Sequence, residues 1–303
     1  MSTPTEPSRS QDYPHTYFVQ DRNNSDELQR LQIQDQLMTT SMGGVLPEQS
    51  PPTPLERVLD VGCGTGGWLI SMAQTFPTAS LLIGVDASSK MISFARSQAE
   101  AQGVADRTEF HIMDALQMLE FPAGFFDLVN QRSAVSWIRT WEWPKLLNEY
   151  QRVSREDGIV RITEPEILAT TTSSALAELF ELMLKALFQS GHLFTPENDG
   201  LNSHLARLLS QAGFQDVQTR VSTLEYHAGT PGGHYAYEDA RYLFRTIVPF
   251  LQKWTRLPDN YESIYQQAMH DMQQPGFFVI LHMLTVWGRN VNSTRPSVSG
   301  KDR

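Results

Sequence analysis

The 303-residue chain has a single cysteine, Cys63. That scarcity excludes an internal disulfide framework and any zinc site built from several thiolates. Cations are also few, with 24 Lys and Arg against 34 Asp and Glu and a formal net charge of −10. Holding a phosphate backbone requires clustered cations, so no nucleic-acid partner is expected. The one local concentration, "RVSREDGIVR" (Arg152–Arg161), alternates in sign and reads as a solvated turn. No apolar run approaches the ~20 residues needed to cross a bilayer. The opening "MSTPTEPSRSQDYP" lacks the basic and apolar segments of a signal peptide. A cytoplasmic location with no membrane partner is therefore expected, and the N-x-S/T triplets at Asn23 and Asn292 count as chance matches. No spacing of His, Asp and Glu suggests a metal site.

What is present is a rhythm. From Arg57 to Glu164, short apolar runs alternate with helical patterns, which predicts a parallel, doubly wound α/β sheet. Strands are expected at 58–61, 80–85, 109–113, 126–130 and 159–163, and helices at 67–75, 88–102 and 143–153. After Glu164 the pattern turns helical, broken by strand-like runs near 215–226 and 276–290. The expected organisation is a mobile tail over 1–16, an N-terminal helical lid over 17–48 and a ligand-binding core over 55–168. A helical cap over 169–275 is interleaved with the strand near 215–226, and a last strand over 276–290 precedes a second mobile tail over 291–303. "GTPGGHYAYED" (Gly229–Asp239) reads as a flexible, glycine-rich lid, and a kink is expected near Pro249.

"VLDVGCGTGG" (Val58–Gly67) poses the functional question. A strand breaks into a loop with glycines at 62, 64, 66 and 67. Gly62, Gly64 and Gly67 satisfy the dinucleotide pattern G-x-G-x-x-G, whereas Gly62, Gly64 and Gly66 satisfy G-x-G-x-G. A strand feeding such a turn and then a helix offers backbone N–H groups and a positive helix end to a pyrophosphate or to a carboxylate. Alone, the loop suits NAD(P) and S-adenosylmethionine equally. Three aspartates shift the balance. Asp60 sits inside the first strand, where it repels a pyrophosphate but attracts an ammonium group. Asp86 ends the second strand ("LLIGVDAS"), where a carboxylate accepts both ribose hydroxyls of either cofactor. Asp114 ends the third ("FHIMDALQ"), placed to accept an adenine amino group. A single strand-end aspartate is commonly a helix cap, but three at successive strand ends are not a chance arrangement.

Taken together, "VLDVGCGTGG", "IGVDAS", "MDA" and "FDLVNQR" resemble the four motifs of the class I S-adenosylmethionine-dependent methyltransferases, over roughly Arg57–Glu166. The N-terminal pattern from Tyr17 through Arg30, Leu31, Gln34 and Leu37 is similar to the group related to the fungal regulator LaeA and its bacterial relatives. The resemblance implies a Rossmann-like seven-stranded sheet with an antiparallel C-terminal strand and helical insertions capping the substrate. It implies that Gly62, Gly64 and Gly66 line the methionine part of S-adenosylmethionine and that Asp60 organises the loop and the amino group. Asp86 would hold the ribose, Met91 would lie near the adenine, and Asp114 and Ala115 would meet its edge. Asn130 would lie beside the sulfonium, and Tyr17 would belong to a segment closing over the cofactor. The chain departs from the family in having "REDGIV" in place of a Pro-Gly-Gly turn before the fifth strand; Asp157-Gly158 is expected to make that turn. "QRS" at 131–133 lacks the Asn/Asp-Pro-Pro-Tyr motif of base methylation, in keeping with the acidic charge.

The expected partner is a small-molecule methyl acceptor. Aromatics of the cap (Phe180, Phe188, Phe194, Tyr226, Tyr235, Tyr237, Tyr242 and Trp254) suggest an apolar or aromatic one, once those in the core are discounted. Candidate bases are His192, His227, His234 and Glu164, although most histidines in such positions are structural or exposed. The leading expectation is methyl transfer to O, N or C of such a molecule. A cofactor-binding regulator without turnover and an NAD(P)-dependent oxidoreductase are the alternatives.

Overall fold

A strand flanked on both faces by helices must be apolar almost throughout, and β1 (Arg57–Val61) is buried at every position after Arg57. It lies at the centre of the sheet in the computed structural model, which describes residues 25–49 and 55–291, with side chains from residue 28. The next strands are β2 (Leu81–Asp86), β3 (Thr108–Ile112), β4 (Phe126–Arg132) and β5 (Ser154–Pro165). Parallel pairing gives the order β3-β2-β1-β4-β5. The final strand β8 (Phe278–Asn290) runs antiparallel to β5 and is flanked by β7 (Phe214–His227). The seven expected strands thus form the sheet. A two-residue strand β6 (Thr170–Thr171) bonds to β8 beyond the end of β5 and makes eight.

Local chemistry sets the helices. The glycine loop runs straight into α2 (Gly67–Thr75). Ser88 caps α3 (Ser89–Ala101), its Oγ accepting from Met91 N at 3.4 Å. α4 (Trp143–Val153) has proline in its first turn, where a missing N–H costs nothing. It passes directly into β5, so no free turn is made at Asp157-Gly158. Asp157 instead adopts φ 59° within the strand, where the register with β4 shifts. This corrects the expected tight turn to an irregularity within the strand, where β5 takes five positions against two of β4 and accommodates three extra residues without breaking the sheet.

The cap comprises α5 (Ser174–Gln189), α6 (Asn202–Gln211), α7 (Pro231–Thr246), α8 (Val248–Trp254) and α9 (Tyr261–Asp271). α7 overturns the expectation of a flexible segment at 229–239. Thr230 caps that helix by accepting from Gly233 N at 3.0 Å, and Pro231 opens it. The expected kink is realised as a break between α7 and α8 at Ile247, with Pro249 in the first turn of α8. One face of the sheet packs against α2 and α3 through residues such as Val58, Leu82, Leu128 and Ile159. The other, carrying Leu59, Val61, Val129, Val160 and Ile162, packs against α4 and the cap. The N-terminal helix α1 (Ser25–Ser41) lies against α7. It buries Leu37 and Met38, with Leu28 and Leu31 half-buried. Tyr17, the tail over 1–16 and all but Val291 of the tail over 291–303 lie outside the described residues.

Candidate functional site

Parallel strands leave a crevice at their carboxyl ends. Here it is a cavity of ≈ 1220 Å³, its open mouth included, between the ends of β1, β2, β4 and β5 and a roof made by α1, α5 and α7. One end is polar, lined by Asp60, Gly62, Cys63, Gly64 and Thr65 from β1 and its loop, by Asp86 from β2 and by Met91 from α3. The opposite end is aliphatic, lined by Ile167, Met183, Leu187, Leu243 and Ile247. Between them stand Arg132, Ser133, Ser136 and Trp137, at the end of β4 and just after it, and Arg30, Leu31, Gln34, Asp35 and Met38 of α1.

Five of the ten expected cofactor residues line this cavity: Asp60, Gly62, Gly64, Asp86 and Met91. The backbone of Gly62 is pressed against the Trp137 ring, whose nearest carbon would lie 3.0 Å from a Cβ placed there. Asp86 ties the loop to β2, with Oδ2 accepting from Gly64 N at 3.1 Å and Oδ1 from Ser88 N at 2.8 Å. Asp60 is 4% exposed, and burial pushes its carboxyl up to about 7 against the opposing pull of Asn130 and Arg161. Cys63 is a thiol whose pKa is driven up by burial and by the neighbouring charges of Asp86 and Asp60, as suits a small filler of the loop.

The other expected cofactor residues are placed elsewhere. Gly66 faces the core, where a Cβ would meet Ala95 and Phe110 at 2.8 Å. Asn130 is fully buried behind Asp60 and donates to its Oδ1 at 2.8 Å. Asp114 accepts from Leu116 N at 2.9 Å as a turn brace, and Ala115 is packed in the core. Tyr17 is outside the described residues.

None of the four candidate bases lines the cavity. His192 is buried among cap helices, with Nδ1 2.7 Å from Ser190 Oγ and its ring edge-on to Phe250. His227 is exposed beside Glu225, and His234 lies next to Tyr235 in the first turn of α7. Glu164 is fully buried beneath the short 3-10 turn 134–136, accepting from Ala134 N, Val135 N and Gln131 Nε2 at 2.7, 2.9 and 3.2 Å. Burial lifts it to about 7 against those three donors. Nor do any of the eight cap aromatics line the cavity, whose end away from the glycine loop is aliphatic.

Two residues that sequence reasoning assigned no role are central here. Arg132 is ion-paired with Asp35 of α1, and its Nη1 donates to Thr39 Oγ1 at 3.0 Å. Arg30 pairs with Asp239 of α7 at 3.3 Å. An arginine closing a strand that is buried at every other position was the available signal for Arg132. Among the described residues no group of His, Cys, Asp and Glu could hold a metal ion, and no helix is long and apolar enough to cross a membrane.

Comparison with known proteins agrees with this architecture. Residues 58–158 match the family model described as "Methyltransferase domain". The aklanonic acid methyltransferase DauC of Streptomyces sp. (strain C5) is 31% identical over 150 residues, which cover 50% of this chain and 66% of DauC. The chain therefore spans just under two thirds of that relative. The N-methyltransferase gliN of Aspergillus fumigatus is 25% identical over 280 residues, covering 87% of this chain and 93% of gliN. Among solved structures, Haemonchus contortus phosphoethanolamine N-methyltransferase 2 in complex with S-adenosyl-L-methionine superposes with a TM-score of 0.53 at 20% identity. That match covers 89% of this chain and 59% of the other, and it speaks to the fold. Residues 58–158 of the chain are accordingly a methyltransferase domain, carried on the sheet of the class I S-adenosylmethionine-dependent methyltransferases.

Proposed function

We propose that this chain is an S-adenosylmethionine-dependent methyltransferase acting on a small, largely aliphatic molecule. The observation that carries the reading is the two-ended cavity. Its polar end sets two carboxylates, Asp60 and Asp86, beside the glycine loop, and its other end is walled by aliphatic side chains of the cap and of the segment after β5. The two kinds of lining offer separate walls to a cofactor and to an acceptor.

The residues present fit the cofactor. The glycine-loop backbone is open to the methionine carboxylate, Asp60 to the ammonium, Asp86 to the ribose hydroxyls and Met91 to one adenine face. Asp114 and Ala115 sit just past β3, and to meet the adenine edge Asp114 must turn from Leu116. S-adenosylmethionine supplies a methyl group already activated on a sulfonium. The work left to the chain is placement and the exclusion of water, which supply ~7–11 kcal/mol of barrier reduction in well-oriented reactions. α1 and the cap helices do this by roofing the cavity.

The cavity's carboxylates are all engaged, Asp35 with Arg132, Asp60 with Asn130 and Asp86 with backbone N–H groups. A hydroxyl acceptor needs a base to take its proton, whereas a free amine or a stabilised carbanion does not. The site accordingly favours acceptors that arrive as nucleophiles. The same observation keeps a second reading in view, a cofactor-binding regulator without turnover. The names of DauC and gliN support a role in secondary metabolism.

The test is calorimetry with S-adenosylmethionine, S-adenosylhomocysteine and NADH, followed by a screen of small molecules with mass detection of a +CH₂ product. Both adenosyl ligands are expected to bind and NADH is not. Binding of NADH alone overturns the assignment, and cofactor binding with no product from any acceptor class selects the regulator.

A further inference from the structure

Four polar side chains form a row along the boundary between the cavity and the core beneath it. Asp60, Asn130 and Arg161 occupy one register position on β1, β4 and β5, so they project from the same face of the sheet. Two residues earlier on that face are Val58, Leu128 and Ile159, all in the core packed by α2 and α3. Glu48, in the linker after α1, ends the row. Its carboxylate grips the Arg161 guanidinium at two points, Nε–Oε1 2.6 Å and Nη2–Oε2 3.4 Å, and both side chains are 1% exposed. Arg161 Nη1 donates to Asn130 Oδ1 at 2.9 Å, and Asn130 Nδ2 donates to Asp60 Oδ1 at 2.8 Å. Of the four, Asp60 alone lines the cavity.

The chemistry gives this row a direction. Arginine has donors and no acceptor, so the Asn130 amide must turn its oxygen to Arg161 and its NH₂ to Asp60. Faced with a donor, Asp60 is drawn toward its ionised, accepting form against the burial that lifts its carboxyl to about 7. Without Arg161 the amide is free to flip and offer its oxygen to a protonated Asp60. The charged and titratable groups that act on Asp60 are Arg161 from β5, Asp86 from β2 and the Cys63 thiol of the loop, with Glu48 acting through Arg161 and the Tyr150 hydroxyl of α4 felt only across the sheet. Of these, Arg161 favours the charged form, and it stands in place because Glu48 holds it.

We propose that Glu48, Arg161 and Asn130 are positioning residues that keep Asp60 ionised and aimed at the cofactor's ammonium group, so that the linker behind the lid helix sets cofactor affinity. The proposal rests on reading the cavity as an S-adenosyl site. Breaking one member of a buried ion pair strands the other charge, so Arg161→Met alone is a poor probe. The double variant Glu48→Gln/Arg161→Met removes the pair together. Asn130→Ser cuts the middle link and leaves the pair whole.

The experiment measures S-adenosylhomocysteine affinity across pH by calorimetry, alongside thermal stability, for the wild type and both variants. The ligand's own amino group titrates alike in all three and cancels in the comparison. Both variants are expected to bind about tenfold more weakly near pH 7, where loss of the row leaves Asp60 protonated. They should return to within about threefold of the wild type near pH 8.5, with little change in stability for the double variant. Weakening by one factor at every pH, or no weakening, overturns the proposal. Should the double variant not fold, Asn130→Ser carries the same expectation and the same refutation. A wild type that binds no S-adenosylhomocysteine at any pH refutes the underlying reading of the cavity instead.

Discussion

Arg132, the last residue of β4, is ion-paired across the cavity with Asp35 in the middle of α1, and the two side chains are 12% and 18% exposed. The pair joins the sheet to α1, which lines the cavity. A second pair, Arg30 with Asp239, ties the same helix to α7. α1 is thus fastened to both walls of the cavity, and opening it means breaking two partly desolvated ion pairs.

Asp35→Asn removes the charge from the first fastening while keeping the shape. Hydrogen bonds to a charged group are worth ~1.5–3 kcal/mol, so S-adenosylhomocysteine should dissociate at least about tenfold faster. Association should change less, because encounter does not require the closed pair. Stopped-flow release of the ligand measures this directly, and an unchanged release rate would show that α1 is not a lid.

These fastenings are not legible in the sequence, whereas the loop they close over is. Local signals reach only a few residues. The glycine run and the apolar strands can be read in a window of ten, and they place Asp60 and Asp86 on one cavity wall. Asp35 and Arg132 are 97 positions apart, and Glu48 and Arg161 are 113 apart. No periodicity links such residues. Asn130 illustrates a subtler failure: its strand is evident from the apolar run, but its partner is set by register. In line with Asp60 on the next strand, it becomes a support for that carboxylate and not a wall of the cavity. At 229–239 a strong local signal gives the wrong answer. "TPGG" reads as a loop, yet Thr230 caps a helix there. Gly233 packs so closely on the end of β7 that a Cβ would overlap the His227 carbonyl oxygen. Tertiary contact, invisible locally, turns the glycine from a breaker into a requirement.

Asp60→Asn should stabilise the ligand-free protein while weakening its hold on the ligand. The Asp60 carboxyl titrates at about 7 in the folded chain against an ordinary value of 3.8. The folded state therefore holds a proton that the unfolded state has released, and stability falls as pH rises from about 4 to about 7. Above that window Asp60 costs the fold a few kcal/mol, at about 1.4 kcal/mol for each pH unit separating the two values. The replacement amide keeps an oxygen for the Asn130 NH₂ group and carries no charge. Denaturant unfolding should show the variant more stable than the wild type above about pH 7 and equal to it near pH 4. An unchanged pH slope would mean that Asp60 is not the group responsible.

The glycine loop divides into a half that lines the cavity and a half that packs on the core, and two substitutions separate them. Gly64 has φ 52°, and a Cβ there would meet nothing within 4 Å. Gly64→Ala should therefore cost about 1 kcal/mol of backbone strain and fold normally. Its larger effect should appear in cofactor affinity, where the backbone meets the ligand. At Gly66 a Cβ would strike Ala95 and Phe110 at 2.8 Å in addition to the strain of φ 78°. Gly66→Ala should therefore destabilise folding by a further ~1–3 kcal/mol, as overpacking does. Thermal melts with and without S-adenosylhomocysteine distinguish the two. Equal loss of stability in both variants would mean that the loop acts as one structural unit.

The aliphatic end of the cavity should be separable from the cofactor end by one side chain. Met183, on α5, lines that end and is 9% exposed. Phenylalanine there keeps the site apolar, replaces a flexible chain with a rigid ring and narrows the space facing Leu187 and Leu243. If the acceptor lies against this wall, Met183→Phe should lower kcat/KM by about tenfold or more, since steric conflict on the scale of a methylene is worth ~1–3 kcal/mol. The affinity for S-adenosylhomocysteine should stay within about twofold, because Asp60, Asp86 and the glycine loop are untouched. A matched loss of cofactor affinity would place the adenosyl group at the aliphatic end and reverse the orientation proposed for the two ligands. An unchanged kcat/KM would move the acceptor to the polar stretch between Ser133 and Gln34, where the arginine pairs, not the cap, would set its specificity.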